Sequence, residues 1–504
     1  MILVLFVLLA IVLAYDLMQR QHAILRNFPI IGHLRYWLEA VGPEIRQYIV
    51  TDNNEERPFS RDQRRWVYAS AKRENNYFGF GSDNEMEQQS GYLIIKHATF
   101  PLPATFPGEP SYDAEYSLPC AKVMGAARGR AKAFRPASVV NVSAMSFGSL
   151  SGASVESLNR GSRIVGCLHC TGEGGVSPYH LSGGELIWQI GTGYFGCRDE
   201  HGRFSMDRLK AVVERTPQIR AIEIKLSQGA KPGVGGVLPM AKITQEIADI
   251  RGIPLDRDCI SPSVHSSFHD ADSLLDFVES LAAETGLPVG IKSAVGDTGF
   301  WEDLTRLMAS GERGVDFVTI DGGEGGTGAA PLVFSDHVSL PFKLGFSRVY
   351  KAFAAAGLTE RVVFIGSGKL GFPEAAVFAF ALGCDMVNVA REALLAIGCI
   401  QALRCHTNHC PTGITTQNAW LVRGVDPTLK SARLANYVLT LRKEVLALSR
   451  ACGLEHPSLI TADHLELIGD RFGSTTVTEL FDYPSGAGIP SADDVTEIRR
   501  LMRH

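Results

Sequence analysis

Short apolar runs recur through the middle of the chain, each bounded by glycine-rich or polar loops and followed by residues at helical spacing. They read ASVVNVSAM (137–145), RIVGCLHC (163–170), AIEIKL (221–226), PVGIKSAV (288–295), DFVTIDGG (316–323), RVVFIGSG (361–368) and CDMVNVAR (384–391). Near-continuous apolar strands alternating with helices predict a parallel sheet covered on both faces. Seven or eight such units over about 270 residues favour a closed (β/α)8 barrel. An open doubly wound sheet is the alternative, but the G-x-G-x-x-G fingerprint that usually follows its first strand is missing. Beyond the barrel, ARLANYVLTLRKEVLALSRACG (432–453) spaces its apolar residues for one amphipathic helix ending at Gly453.

The N-terminus has a different pattern. Residues 2–15, ILVLFVLLAIVLAY, are unbroken apolar sequence, and Leu17 and Met18 continue the run past Asp16. A spanning helix needs roughly 20 apolar residues, so the run predicts a short single-pass membrane anchor. A cleaved signal would carry a basic residue before the run and an A-x-A site after it, and neither is present. Arg20, Arg26 and Arg35 all follow the run, which puts the catalytic domain on the cytoplasmic side of the membrane. A buried N-terminal helix is the alternative. The expected organisation is an anchor at 1–19, a polar collar with aromatic-basic stretches at 20–110, the barrel at 111–430 and a C-terminal helical extension at 431–504.

Composition narrows the field of partners and compartments. Lysine and arginine number 49 against 54 acids, a net charge of −5, so no polybasic surface for nucleic acid is expected. Ten cysteines in 504 residues are too sparse for a disulfide scaffold, which points to a reducing compartment.

In a barrel of this kind, active residues sit on the loops after the strands. Here those loops read SAMSFGSLS (143–151), TGEGG (171–175), KLSQGAKPGVGG (225–236), DGGEGGTGAAP (321–331) and GSGK (366–369). Glycine lets backbone approach a ligand and aim N–H groups at it. The last two strands lie where barrels bind a phosphate, so Gly366, Ser367 and Gly368 are candidate N–H donors and Arg391 a candidate charge. Lys225, Gln228, Lys231 and Lys292, at strand ends or just beyond, would together suit a flavin edge and a dianionic acid. Glu173 and Glu324, each flanked by glycines, are candidate acid-base or ammonium-binding groups. Cys399, Cys405 and Cys410 are spaced C-x5-C-x4-C, with Pro411 next. Clustered thiols in a reducing compartment suggest metal: either zinc, with His406 or His409 as fourth ligand, or an iron-sulfur cluster.

GCIQALRCHTNHCPTGITTQ (398–417) closely resembles the cluster-binding segment of glutamate synthases. KLSQGAKPGVGGVLPMAK (225–242), TGEGG, DGGEGGTGAAP and MSFGSLS resemble that family's FMN and 2-oxoglutarate loops, and the match runs in order from about residue 135 to 470. The resemblance implies a (β/α)8 barrel that holds FMN and a [3Fe-4S] cluster on Cys399, Cys405 and Cys410. Electrons would enter from ferredoxin or a partner reductase, and 2-iminoglutarate, formed from 2-oxoglutarate and ammonia, would be reduced to glutamate. In that reading Lys225, Gln228, Lys231 and Glu173 are catalytic. Ser143, Ala144, Met145, Ser146, Lys292, Gly322, Gly323, Gly366, Ser367, Gly368 and Arg391 hold the flavin.

The sequence also departs from the family. Glutamine-dependent members use a first mature cysteine as nucleophile, whereas here Ile2 follows the initiator and no cysteine precedes Cys120. Ammonia or an amine, arriving free or from a partner protein, is therefore the expected nitrogen source. Val176, Val234, Val237 and Met240 replace polar or small residues in the active-site loops. They point to an alternative with the same cofactors and a different amine or keto acid, as in an N-alkyl amino acid synthase or an amine dehydrogenase. A third reading is an electron-relay subunit with little catalysis of its own.

Overall fold

Eight parallel strands close on one another in chain order: β1 (Val140–Val142), β2 (His169–Cys170), β3 (Leu186–Ile190), β4 (Ile219–Lys225), β5 (Val289–Ser293), β6 (Phe317–Asp321), β7 (Val363–Ser367) and β8 (Met386–Val389). The ring is sealed where β8 meets β1, with Val387 opposite Val140 and Val389 opposite Val142. The chain is seen here in a computed structural model describing residues 2–19, 21–87, 89–109, 112–469, 473–484 and 486–502. Closure decides between the two expected architectures in favour of the (β/α)8 barrel.

The base of the barrel is apolar and its top is polar. Leu168, Ile187, Ala221, Phe317, Val363, Ile365 and Met386 form one cluster with Cys120, Met124 and Phe134 from the segment that precedes β1. That segment closes the end of the barrel at which the strands begin. Toward the opposite end the interior changes character, with buried Gln189, Glu223, Lys292 and Thr319.

Among the covering helices, α1 (Gly152–Val165) is capped by Ser151, whose hydroxyl accepts from the Ser154 N–H. It packs on α2 (Pro427–Ala451), the long amphipathic helix expected near 432–453, which begins at Pro427 behind the Asp426 cap. The C-terminal region is not only helical. Leu465–Ile468 pairs antiparallel with both Leu93–Ile95 and Ser474–Thr476.

The chain divides into two compact units, residues 1–66 and 67–504. In the first, helix Ile2–Met18 has 17 residues, a rise of about 26 Å against the roughly 30 Å of a hydrocarbon core. Two residues before its end, Asp16 is buried, accepting from the Ile30 N–H at 2.8 Å and bonded to His33 Nε2 at 2.8 Å. These contacts hold the Asp16 carboxyl below the usual carboxylate range, the Ile30 amide most of all. Among the described residues no helix is long and apolar enough to cross a membrane. The single-pass anchor expected for residues 1–19 is thus not borne out: the apolar run is too short and closes on a buried carboxylate. Arg20, one of the residues used for orientation, lies outside the described residues.

Candidate active site

The charged residues singled out in the sequence meet at the rim where the barrel strands end. Lys225 closes β4 and Lys292 lies in β5 directly opposite it. The Lys225 ammonium is 3.3 Å from Glu173 Oε2 and donates to Gln228 Oε1 at 2.7 Å. Glu173 is packed between two loops, because a Cβ on Gly236 would fall 1.9 Å from its Oε1 and one on Gly191 2.4 Å from its Oε2. Burial raises the Glu173 pKa, but Lys225, Arg251 and Lys231 outweigh it, so the carboxyl is held below its ordinary value. Lys231 is buried and donates to the Ala329 carbonyl at 3.0 Å. Burial and the neighbouring Lys225 charge pull its pKa down to about 8, against the opposing pull of Glu173.

Two loops are clasped across the mouth by backbone. The Gly229 N–H donates to Asp321 Oδ2 at 3.0 Å, and a Cβ at Gly229 would lie 1.8 Å from the Gly322 carbonyl oxygen. Ser335 Oγ donates to the Ala230 carbonyl at 3.1 Å. Asp321 also holds the Lys292 ammonium at 3.4 Å.

Arg251 completes the basic cluster and was not found in the sequence. It ends the short helix Gln245–Arg251, far from any glycine loop, and donates to Ser146 Oγ at 3.2 Å and the Phe147 carbonyl at 2.9 Å. Its guanidinium and that of Arg198 both sit over the Phe195 ring, at 5.2 and 5.1 Å from the centroid. His265 is a second unforeseen residue. Its Nε2 faces the Lys225 carbonyl at 2.9 Å and its Nδ1 the Tyr194 hydroxyl at 3.1 Å. Burial lowers its pKa, so the imidazole is neutral, with the proton on Nε2 facing the carbonyl.

The flavin candidates divide by what the structure does with them. Ser143 ends inside the wall, its N–H donating to the Val389 carbonyl, while Ala144 and Met145 stand half-buried on the rim. Gly368 adopts φ +131°, and a Cβ there would approach the Gly322 amide nitrogen at 3.2 Å, so only glycine makes this cradle. Ser367 ends β7 beside it, and the half-buried Arg391 guanidinium donates to the Glu324 carbonyl across the same gap. Three further flavin candidates, Gly322, Gly323 and Gly366, are engaged within the protein itself. The Gly322 amide donates to the Ser367 carbonyl and the Gly323 amide to the Leu340 carbonyl, so both shape the loop from within. Gly366 is a packing glycine, since a Cβ there would meet Phe342, Leu370 and Cys384 within 3.0 Å. Gly368, Ser367, Arg391 and Lys292 remain as a fit for a flavin phosphate and ring. The Glu324 carboxyl accepts the Phe342 N–H at 2.8 Å, at the start of helix Phe342–Ala355, and burial raises its pKa.

The three cysteines are not gathered. Among the described residues no group of three or more His, Cys, Asp or Glu side chains is placed to hold a metal ion, and no cysteine is in a disulfide. Cys405 and Cys410 feel each other's charge and that of Lys242. Cys399 instead receives the Gln401 N–H on its sulfur at 3.4 Å and the Tyr68 hydroxyl on its carbonyl. The loop is held from outside as well, by Lys242 on the Cys405 carbonyl and by Asn408 on the Ala241 carbonyl, and Gln401, Leu403 and Asn408 are all at positive φ. The [3Fe-4S] ligand set expected at Cys399, Cys405 and Cys410 is therefore not assembled in this structure, and no chemical step is assigned to it.

A parallel barrel whose strand-end rim gathers three cations, Lys231 and Arg251 buried and Lys225 half-buried, around one carboxylate has the charge balance that suits a small anion. The conserved region of glutamate synthase matches residues 122–455. The glutamate synthase large subunit-like protein YerD of Bacillus subtilis is 37% identical over 91% of this chain and 92% of its own. The archaeal glutamate synthase [NADPH] of Methanocaldococcus jannaschii is 35% identical over 62% of this chain and 59% of its own. The glutamate synthase [NADPH] large chain of B. subtilis is 31% identical over 62% of this chain, which corresponds to 20% of that larger protein. The chain belongs to the glutamate synthase family.

Proposed function

We propose that this protein is an FMN-dependent oxidoreductase that makes glutamate from 2-oxoglutarate and ammonia, with electrons delivered by a ferredoxin or a partner reductase. One observation carries the reading: Lys225, Lys231 and Arg251 all act on the Glu173 carboxylate at the strand-end rim. Three cations suit a dicarboxylate, and one ionised carboxylate among them suits an ammonium nitrogen.

FMN, when bound by Gly368, Ser367, Arg391 and Lys292, supplies the hydride that reduces the imine carbon. The remaining work belongs to the chain. Lys225 and Arg251 neutralise the two carboxylates and fix the keto acid. Glu173 accepts a proton from ammonium, so that free nitrogen attacks the keto carbon. Loss of water then leaves the imine. Lys231, with a pKa of about 8, is poised to donate a proton to the nitrogen as the carbon is reduced. Gln228, fixed by Lys225, supplies a neutral hydrogen bond to the acid.

A second reading keeps the flavin and changes the substrate. Val237 pairs with Ile260, and Ile260 and Val264 stand 66% and 72% exposed next to the Gly235–Gly236 stretch that packs on Glu173. That apolar edge favours a bulkier amine or keto acid. Anaerobically reduced protein, mixed with keto acids and either ammonium or alkylamines, separates the two readings by which pair reoxidises the flavin. Release of FAD, or of no flavin, from the purified protein would overturn both.

A further inference from the structure

Below the rim, inside the barrel, lies a carboxylate that the proposed chemistry does not use. Glu223 is 1% exposed, in the middle of β4, opposite Gln189 of β3 and Gly290 of β5. All its hydrogen-bond partners are neutral. Gln189 Nε2 donates to Oε1 at 2.6 Å, Thr319 Oγ1 to Oε2 at 2.6 Å, and the Cys170 thiol faces Oε1 at 3.6 Å. Burial and Glu223 itself push the Cys170 thiol well above its ordinary pKa, so it stays protonated. A carboxylate removed from water among neutral donors needs a positive charge nearby. Lys292, two residues beyond Gly290 on β5 and opposite Thr319 of β6, is the buried cation above it.

We propose that Glu223 is a positioning residue that acts through Lys292: with Asp321 it brackets this buried ammonium, so that Lys292 presents a partly neutralised charge to the flavin. Lys292 touches Asp321 at 3.4 Å, and Asp321 is tied to the Gly229 amide, so the upper partner is fixed by the loop that closes the mouth. Glu223 is the lower partner, fixed by Gln189 and Thr319 on the two sides of the barrel. Burial disfavours the charged form of Lys292. Asp321 first, then Glu223, hold its pKa above the ordinary lysine value.

This inference rests on the flavin reading, and its test has one arm with flavin and one without. Glu223→Gln keeps the side-chain shape and removes the charge. In the flavin-loaded variant, Lys292 acts on the ring with less compensation. Sulfite binding to the oxidised flavin should tighten several-fold, and the flavin should become easier to reduce. In flavin-free protein the linkage is read from stability. A raised lysine pKa contributes stability that is complete below the unfolded value and is lost as pH rises through the folded value. The alkaline loss of stability should therefore move to lower pH in Glu223→Gln. The shift should vanish when the same change is made in a Lys292→Met background, since the cycle removes any effect not carried by the lysine. An equal shift in both backgrounds, or unchanged sulfite affinity in a folded, flavin-loaded variant, would overturn the proposal. If the protein binds no flavin but the stability cycle shows coupling, the flavin reading fails and the Glu223–Lys292 pairing stands.

Discussion

At the scale of single residues, charge and close approach decide what the rim can do. Lys231 is cationic below about pH 8 and neutral above it, because burial and Lys225 disfavour its charged form. Keto-acid binding, followed by flavin difference spectra without ammonium, should weaken as pH rises from about 7 to about 9.5. Lys231→Arg should bind independently of pH over that range, since a guanidinium stays charged. A wild-type profile that is flat would remove Lys231 from the anion site. Gly236 tests the other property. Its missing side chain leaves room for Glu173 Oε1, only 1.9 Å from where a Cβ would sit. Gly236→Ala should displace the carboxylate from Lys225, cutting turnover by more than about tenfold while overpacking costs about 1–3 kcal/mol in urea unfolding. Lys225, Gln228, Lys231 and Glu173 were legible in the sequence because each sits within a few residues of a strand end or in a glycine loop. Arg251 and His265 were not. Each reaches the rim from a long excursion between β4 and β5, and only tertiary contacts, with Phe195, Ser146 and Phe147 for Arg251 and with Tyr194 and Lys225 for His265, bring it there.

At the scale of elements, strand and helix were easiest to separate where a glycine or proline divides them. β5 to β8 fall inside the apolar runs that announced them, and β4 begins two residues ahead of its run. The run 163–170 does not: Arg163–Val165 finishes α1 and only His169–Cys170 is strand, because Gly166, at φ +66°, ends the helix inside a continuous apolar stretch. β3 was missed altogether. Leu186–Ile190 carries tryptophan and glutamine, and its burial on both faces follows from barrel closure, not from any local alternation. The α1–α2 contact shows a similar tertiary override. In an exposed helix Gly161→Ala would stabilise by about 1 kcal/mol. Here the added Cβ would sit 2.9 Å from the Ser431 carbonyl oxygen and 2.8 Å from Leu434 Cδ2. The backbone cannot yield as a flexible side chain would, so the sign should reverse. We expect Gly161→Ala to lower the urea midpoint, with a cost of about 1–3 kcal/mol, and a stabilised variant would show that the two helices are looser than drawn.

At the scale of the whole molecule, the two ends of the barrel hold their charges for different purposes. At the end where strands begin, Arg130 is bonded to Asp316 at 3.0 and 3.1 Å and, with two nitrogens, to Glu279 at 2.6 and 3.0 Å. Lys122 is tied there to Asp385 at 3.0 Å and to the Thr359 and Val362 carbonyls. Every partner is supplied by the protein, and the pairs join the segment before β1 to the strands it plugs. At the far end Lys225, Lys231 and Arg251 outnumber the carboxylate they surround, so positive charge is left over for a ligand. Barrels in general divide stability and chemistry between these faces. Two variants therefore should separate cleanly. Arg130→Met strands two partly buried carboxylates, and breaking such a network costs about 3–5 kcal/mol. The same variant should keep keto-acid affinity unchanged, because none of its partners reaches the rim. Lys225→Met should do the reverse. It removes one of several cations acting on Glu173, so unfolding should shift by less than about 1 kcal/mol, while keto-acid affinity and turnover fall together by at least about tenfold. Urea unfolding and substrate titration on the same two preparations decide the matter. Loss of affinity in Arg130→Met without loss of stability would mean that the ends are coupled through the barrel wall, and that the charge at the base also sets the geometry at the rim.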